Sequence, residues 1–175
     1  AELVSCCDTA LRTALIDDEI SPHVLQLERV LDPRRAFAIV HFHTGTMHFP
    51  IARRCATPSV TTMHGRLDLP ELEATAWEFR ELPLVSISDA QREPLPWASW
   101  AGTVLHGQPL DLLRFDPRGG AHLVFLGRIS PEKRPDRAIR IARAAGVPLV
   151  IAAKVDRKDR AYFDDVIAPL IAAGP

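Results

Sequence analysis

The segment from Leu123 to Gly146 constrains the fold more than any other part of the chain. Leu123 to Leu126 is a short apolar run that contains valine and phenylalanine, and Gly127 follows it directly. Such a run predicts a parallel-sheet strand that is buried on both faces and ends at Gly127. Pro135 suits the first turn of a helix, and the apolar spacing after it predicts a helix that ends at Gly146. The segment is therefore predicted to fold as strand, loop and helix.

Two cationic residues, Arg128 and Lys133, lie in the predicted loop of this unit. In an open parallel sheet, such a loop lies at the carboxyl edge, where free backbone N–H groups and the positive helix end favour an anion. We therefore expect the loop to suit a phosphate group. Arginine and lysine side chains in loops are more often simply solvated, and that alternative stays open on these residues alone.

Composition limits the classes of partner and compartment. The chain has 175 residues, of which 47% are hydrophobic, and this is sufficient for a globular core. Lys plus Arg number 21 and Asp plus Glu number 22, so we expect no nucleic-acid partner. The three cysteines form no C-x-x-C pair, which suits a reducing cytoplasm without disulfides. Apolar stretches fall far short of the roughly 20 residues of a membrane helix, so we expect peripheral membrane contact at most.

The remainder of the chain alternates between apolar runs and helical patterns with short connections. Further strands are predicted over 36–42, 58–63, 82–88 and 147–153, and helices over 22–31, 49–56, 71–80 and 159–173. Ser21 is the expected N-cap of the first helix, and Ser88 or Asp89 is expected to cap the helix start after the strand over 82–88. This alternation predicts an α/β fold with doubly wound parallel sheets.

Histidines stand at the ends of two predicted strands. His41 and His43 are two residues apart, so on an extended strand their side chains face the same way, and His64 follows the next strand. These three imidazoles could hold a metal, as in a metal hydrolase. No Asp, Glu or Cys stands near them at ligand spacing, which makes a metal site the less favoured interpretation.

The segment Gly127-Arg-Ile-Ser-Pro-Glu-Lys133, followed by Pro135-Asp136, is similar to the G-R-x-x-x-x-K segment of the group-one (family four) retaining glycosyltransferases of GT-B fold. The resemblance extends over most of the chain from Pro22 to Pro175. It includes the His-Phe-His-Thr segment after the first strand, the Val-Ser-x-Ser strand end and a crossing segment with His106 where the family has asparagine.

The resemblance implies a GT-B-like architecture with two Rossmann-like parallel-sheet domains. Residues 1–105 would be part of the N-terminal acceptor-side domain, and 106–175 would be the start of the C-terminal nucleotide-sugar-binding domain. Each domain is expected to be only partly represented. The glycine-rich loop and the E-x7-E motif of the family have no counterpart in these residues.

The resemblance also implies roles for individual residues. Arg128 and Lys133 would hold the diphosphate of a nucleotide-sugar donor, with Gly127 allowing close approach of the backbone and Glu132 on the same donor side. His43 would reach the reacting sugar, which makes it a third catalytic candidate beside the two cations. The acceptor-side candidates are His64 and Ser88, whereas His41 would be a core histidine.

The implied reaction is retaining transfer of a sugar from a nucleotide diphosphate to a sugar, lipid or small-molecule acceptor in the cytoplasm. No metal or other cofactor is expected, because the two cations would neutralise the leaving diphosphate. Two alternatives use the same fold: a nucleotide-sugar epimerase, which would need paired carboxylates, and a non-catalytic nucleotide-sugar binding fragment.

Overall fold

The computed structural model describes residues 3–9, 11, 18, 20–112 and 115–174. The chain divides into two compact units, Ala1–Gln108 (unit 1) and Pro109–Pro175 (unit 2), whereas the sequence analysis placed the boundary after Leu105. Each unit contains one parallel sheet accompanied by helices, which confirms the α/β class. Among the described residues, no helix is both long enough and apolar enough to cross a membrane.

Unit 1 is built on a four-stranded parallel sheet whose strands follow one another in chain order. The strands are β1 (Val40–Phe42), β2 (Ser59–Thr62), β3 (Leu84–Ser86) and β4 (Trp100–Thr103). Its helices are α1 (Ile20–Val30), α2 (Phe49–Ala52) and α3 (Pro70–Glu78), with single 3-10 turns at Pro33–Arg35 and Ala90–Arg92. The sequence analysis did not predict β4, a short strand that contains a glycine.

The core of unit 1 follows from the alternation of side chains along β1. Val40 and Phe42 are buried and pack with Leu27 of α1, whereas His41 between them is exposed. The expectation that His41 is a core histidine is therefore wrong, because it lies on the outward face of the strand. A second cluster packs around β2 and β3, with Phe49, Met63, Leu67, Ala76, Leu84, Leu95 and Ala98 as its buried members.

Unit 2 contains two parallel strands, β5 (Leu123–Arg128) and β6 (Leu149–Lys154). The helix α4 (Pro135–Ala145) connects them, and a helical stretch follows β6 as α5 (Arg160–Tyr162), a π-helical turn (Phe163–Ile167) and α6 (Ala168–Ala172). Pro135 begins α4 and Gly146 ends it with a φ of 64°, so both predicted helix bounds are confirmed.

Two expectations for β5 are wrong. The strand does not end at Gly127 but continues to Arg128, because Ala153 and Lys154 of β6 provide ladder partners for both residues. The strand is also not buried on both faces. Phe125 packs against the core of Ile129, Ile139 and Ile167, but Val124 and Leu126 are 62% and 84% exposed.

The start of α1 also differs from the prediction. The carboxylate Oδ1 of Asp18 accepts hydrogen bonds from the backbone N–H groups of Ile20 at 2.8 Å and Ser21 at 3.1 Å. Ser21 is therefore not the cap, since its hydroxyl donates to the same carboxylate. An aspartate satisfies free N–H groups at a helix start as well as a serine does, and Asp18 lies one turn earlier.

Candidate functional sites

Four histidines of unit 1 lie side by side at the carboxyl edge of its sheet. His41 is in β1, His43 follows that strand, His64 follows β2 and His106 follows β4. The ring centroids are 4.3 Å apart for His41 and His43, 5.0 Å for His43 and His64, and 5.5 Å for His64 and His106. Parallel strands end at the same edge of a sheet, which explains why these separate segments meet. We call these four residues the histidine row.

The closest polar contact in the histidine row joins His43 and His64. His43 Nδ1 lies 2.7 Å from His64 Nε2, so one nitrogen donates a proton and the other accepts it. Burial lowers the pKa of His43, and the charges of His41 and His64 lower it further. His43 therefore stays neutral to a lower pH than an isolated imidazole.

The histidine row does not offer a ready metal site. Over the described parts of the chain, no group of three or more His, Cys, Asp or Glu residues could hold a metal ion. His41 Nε2 lies 2.8 Å from Thr62 Oγ1, so this nitrogen already has a protein partner. The three-histidine ligand set considered for a metal hydrolase is thus not assembled.

A different histidine, His48, is the buried one. It is fully buried, its ring stacks on Phe42 with centroids 3.8 Å apart, and it meets the edge of Phe49 at 5.0 Å. Its Nε2 lies 2.8 Å from Thr61 Oγ1 and its Nδ1 lies 3.2 Å from Thr44 Oγ1. Burial lowers the pKa of His48 to about 4. His48 thereby ties the loop that carries His43 to β2.

The sequence analysis did not single out His48. The available signal was its position directly before the apolar start of α2, four residues after a threonine. Its second partner comes from β2 and could not be identified locally.

Ser88 and His64 line one open groove beside the sheet edge. Ser88 Oγ accepts the backbone N–H of Gln91 at 3.2 Å, so Ser88 is the capping residue of the 3-10 turn. The Gln91 amide donates to the carbonyls of Met63 at 3.0 Å and Gly65 at 2.8 Å, which joins the loops after β2 and β3. The charged residues of the groove are Arg66, Asp68 and Glu93.

In unit 2, the candidate site is the segment Arg128–Arg134, which we call the clamp loop. Arg128 ends β5 and donates through Nη2 to Glu132 Oε1 at 2.5 Å. Its Nη1 lies 3.7 Å from Asp156 Oδ2, while Lys154 of β6 lies 2.7 Å from the other oxygen of the same carboxylate. Two cations and two carboxylates thus lie together at this end of the sheet.

Lys133 differs from Arg128 in being unpaired. Its side chain is exposed, and its ammonium makes no hydrogen bond or ion pair with any residue that the structure describes. Lys133 ends the 3-10 turn Pro131–Lys133, and Arg134 connects this turn to α4. Its charge is therefore available at the positive end of a helix of 11 residues.

A buried carboxylate stabilises the end of the clamp loop. Asp136 is 5% exposed and accepts from Arg134 Nε at 3.1 Å, Arg134 Nη2 at 2.9 Å and the Tyr162 hydroxyl at 3.1 Å. Burial acts to raise the pKa of Asp136, but these hydrogen bonds and the charge of Arg134 outweigh it, so the pKa is lowered. Arg134, the residue directly before α4, has a left-handed conformation with φ 57°. Nearer the start of the loop, the hydroxyl of Ser130 is buried and has no hydrogen-bond partner among the described residues.

Comparison with known proteins adds no assignment. No protein-family model matches the chain, and no curated protein is significantly similar to it.

Within unit 1 the structure brings His43 and His64 into contact, and it places Ser88 with His64 along one groove. Within unit 2 it pairs Arg128 with Glu132 and places Gly127 and Lys133 on either side of this pair in the chain.

Proposed function

We propose that this protein is a retaining glycosyltransferase of GT-B fold that uses a nucleotide diphosphate sugar and no metal. The observation that carries the proposal is the clamp loop, where Arg128 and Lys133 lie between the carboxyl end of a parallel strand and the start of α4. Departure of the nucleotide diphosphate develops negative charge. Cations held at that point favour the transition state more than the ground state.

The two cations would act in different ways. Arg128 offers a planar fork of N–H donors that matches two phosphate oxygens, whereas Lys133 adds a mobile point charge. Glu132 forms an ion pair with Arg128, and both side chains are partly exposed. A bound diphosphate would take the place of the Glu132 carboxylate on Arg128. Glu132 would then lie beside the donor and pair with Arg128 again after the diphosphate leaves.

Unit 1 supplies the residues proposed for the sugar and the acceptor. His43 would touch the reacting sugar or the attacking hydroxyl, and His64 and Ser88 would line the acceptor groove. The groove carries charges of both signs, from Arg66, Asp68 and Glu93, and these side chains offer hydrogen-bonding groups to a hydroxylated acceptor.

The test is product analysis with labelled nucleotide sugars in the presence of EDTA. We expect a labelled glycoside whose anomeric configuration matches that of the donor, and we expect EDTA to leave the rate unchanged. An epimerised donor formed without any acceptor would indicate an epimerase. Donor binding without turnover would indicate a binding module, and loss of activity in EDTA would contradict metal-independent transfer.

Gly127 provides a prediction that separates folding from binding. A Cβ at this position would meet only the Phe125 ring, at 3.6 and 3.7 Å, which is ordinary van der Waals contact. Gly127→Ala should therefore keep the free energy of unfolding or raise it by up to about 1 kcal/mol. Because close approach of the backbone is the proposed role of Gly127, affinity for inorganic pyrophosphate should fall in calorimetry. Unchanged affinity would show that the ligand does not require a glycine there.

A further inference from the structure

The contact between His43 and His64 requires more than ring stacking. Two imidazoles can stack without any nitrogen of one facing a nitrogen of the other, yet His43 Nδ1 and His64 Nε2 are 2.7 Å apart. At this distance one bridging proton must be shared by the pair. If His43 donates this proton from Nδ1, its other nitrogen, Nε2, is unprotonated and can accept a proton. The other nitrogen of His64, Nδ1, then carries a proton. We call His43 Nε2 and His64 Nδ1 the outer nitrogens.

We propose that His43 and His64 form a proton relay, in which His43 accepts a proton from a substrate hydroxyl and His64 releases one to water in the groove. The relay deepens the proposed glycosyl transfer and rests on it for the identity of that hydroxyl, which belongs to the acceptor. His64 lines the open groove, so its outer nitrogen has a route to solvent. His64 thus acts through His43 and is a positioning residue for the reaction.

The proton balance closes without any further reactant. The acceptor O–H bond breaks as an N–H bond forms at His43 Nε2, and the bridging proton moves from His43 Nδ1 to His64 Nε2. His64 Nδ1 then gives its proton to water. The acceptor oxygen keeps the electron pair and bonds to the anomeric carbon on the same face from which the diphosphate oxygen departs, so the bond to the diphosphate breaks and the anomeric configuration is retained. The pair returns to its first tautomer by exchanging its outer protons with solvent.

Other imidazoles flank the pair on both sides. The ring centroid of His41 on β1 lies 4.3 Å from that of His43, and the ring centroid of His106 after β4 lies 5.5 Å from that of His64. A positive charge on either ring of the pair would therefore lie beside another imidazole. Both rings cannot be cationic while the hydrogen bond persists, because both facing nitrogens would then carry protons. Arg66, Asp68 and Glu93 are the remaining charged groups along the groove.

The direct test is nuclear magnetic resonance of the whole protein with ¹⁵N-labelled histidine. We expect a ¹⁵N–¹⁵N scalar coupling between His43 Nδ1 and His64 Nε2 near neutral pH, and we expect it to disappear on acidification as the second ring charges. This measurement needs no substrate. Absence of the coupling near neutral pH, with both rings assigned, would overturn the relay.

A matched pair of variants tests the role in catalysis. His64→Phe keeps a ring in the stack but removes the nitrogen, so turnover should fall by roughly 10²-fold to 10⁴-fold, the usual contribution of proton transfer, while donor affinity is retained. His23→Phe on α1, outside the histidine row, is the control and should leave both quantities unchanged. Unchanged turnover in His64→Phe would overturn the relay. Absence of transfer by the unaltered protein would overturn the proposed function and with it the substrate of the relay, even where the coupling is present.

Discussion

Replacement of Arg128 by alanine is expected to lower kcat/KM for the donor by about 10²-fold or more. Removal of one preorganised charge-stabilising donor has an effect of this order, and hydrogen bonds to charged groups each contribute about 1.5 to 3 kcal/mol. Arg128→Lys should be nearly as damaging, because a point charge cannot replace the bidentate fork. Lys133→Ala should also cause a large loss, whereas Lys133→Arg should keep partial activity.

A double variant with Arg128→Ala and Lys133→Ala tests whether the two cations act jointly or independently. The double variant should lose less than the product of the single losses, because both cations act on one leaving group. Arg137→Ala and Lys158→Ala are the matched controls. Both controls remove an exposed charge from unit 2 that makes no ion pair in the described part of the chain.

A different result is expected if the two side chains bind no ligand. If Arg128 and Lys133 are simply solvated, alanine should change the free energy of unfolding by less than about 0.5 kcal/mol and leave catalysis intact. Normally folded single variants with near wild-type kcat/KM would therefore rule out the clamp.

The second large effect concerns the stability of unit 1 in acid. Burial lowers the pKa of His48 to about 4 in the folded protein, whereas the pKa of an unfolded histidine is about 6.5. The unfolded state therefore binds the proton first as the pH falls, so the contribution is fully present above about pH 6.5 and is lost towards pH 4. The free energy of unfolding should decrease by about 3 kcal/mol over this interval through His48 alone.

Urea denaturation at pH 7 and pH 4 measures this effect, and His48→Gln isolates it from the other titrating groups. Glutamine can still hydrogen-bond to Thr61 and does not titrate, so the difference in stability between the two pH values should shrink by about 3 kcal/mol. The matched control is His23→Gln, which should keep the wild-type pH dependence. Equal pH dependence in wild type and His48→Gln would show that the buried imidazole is not the acid-sensitive group.

Local patterns in the sequence were sufficient to predict the bounds of α4 and the order of most strands along the chain. Pro135 and Gly146 act on their own backbone conformation, so they indicate where α4 begins and ends without tertiary information. The exposed faces of Val124 and Leu126 could not be predicted, because burial of a strand depends on which elements cover it.

The candidate site was predictable only in part for the same reason. A period of two residues placed His41 and His43 on one face, and their rings do lie together. The hydrogen bond between His43 and His64 joins residues that follow different strands and depends on sheet register, which no local pattern contains. The partners of Asp136 likewise include Tyr162, from a helix after β6.

Calorimetric titration of the whole protein with inorganic pyrophosphate in EDTA measures directly whether the clamp loop binds a diphosphate without a metal. We expect measurable binding that Arg128→Ala and Lys133→Ala each weaken about 10-fold or more, since each loses a charged hydrogen bond of roughly 1.5 to 3 kcal/mol. Arg137→Ala and Lys158→Ala should bind as the wild type does. Absence of binding to the folded wild-type protein, or equal losses in all four variants, would show that the clamp loop is not a diphosphate site.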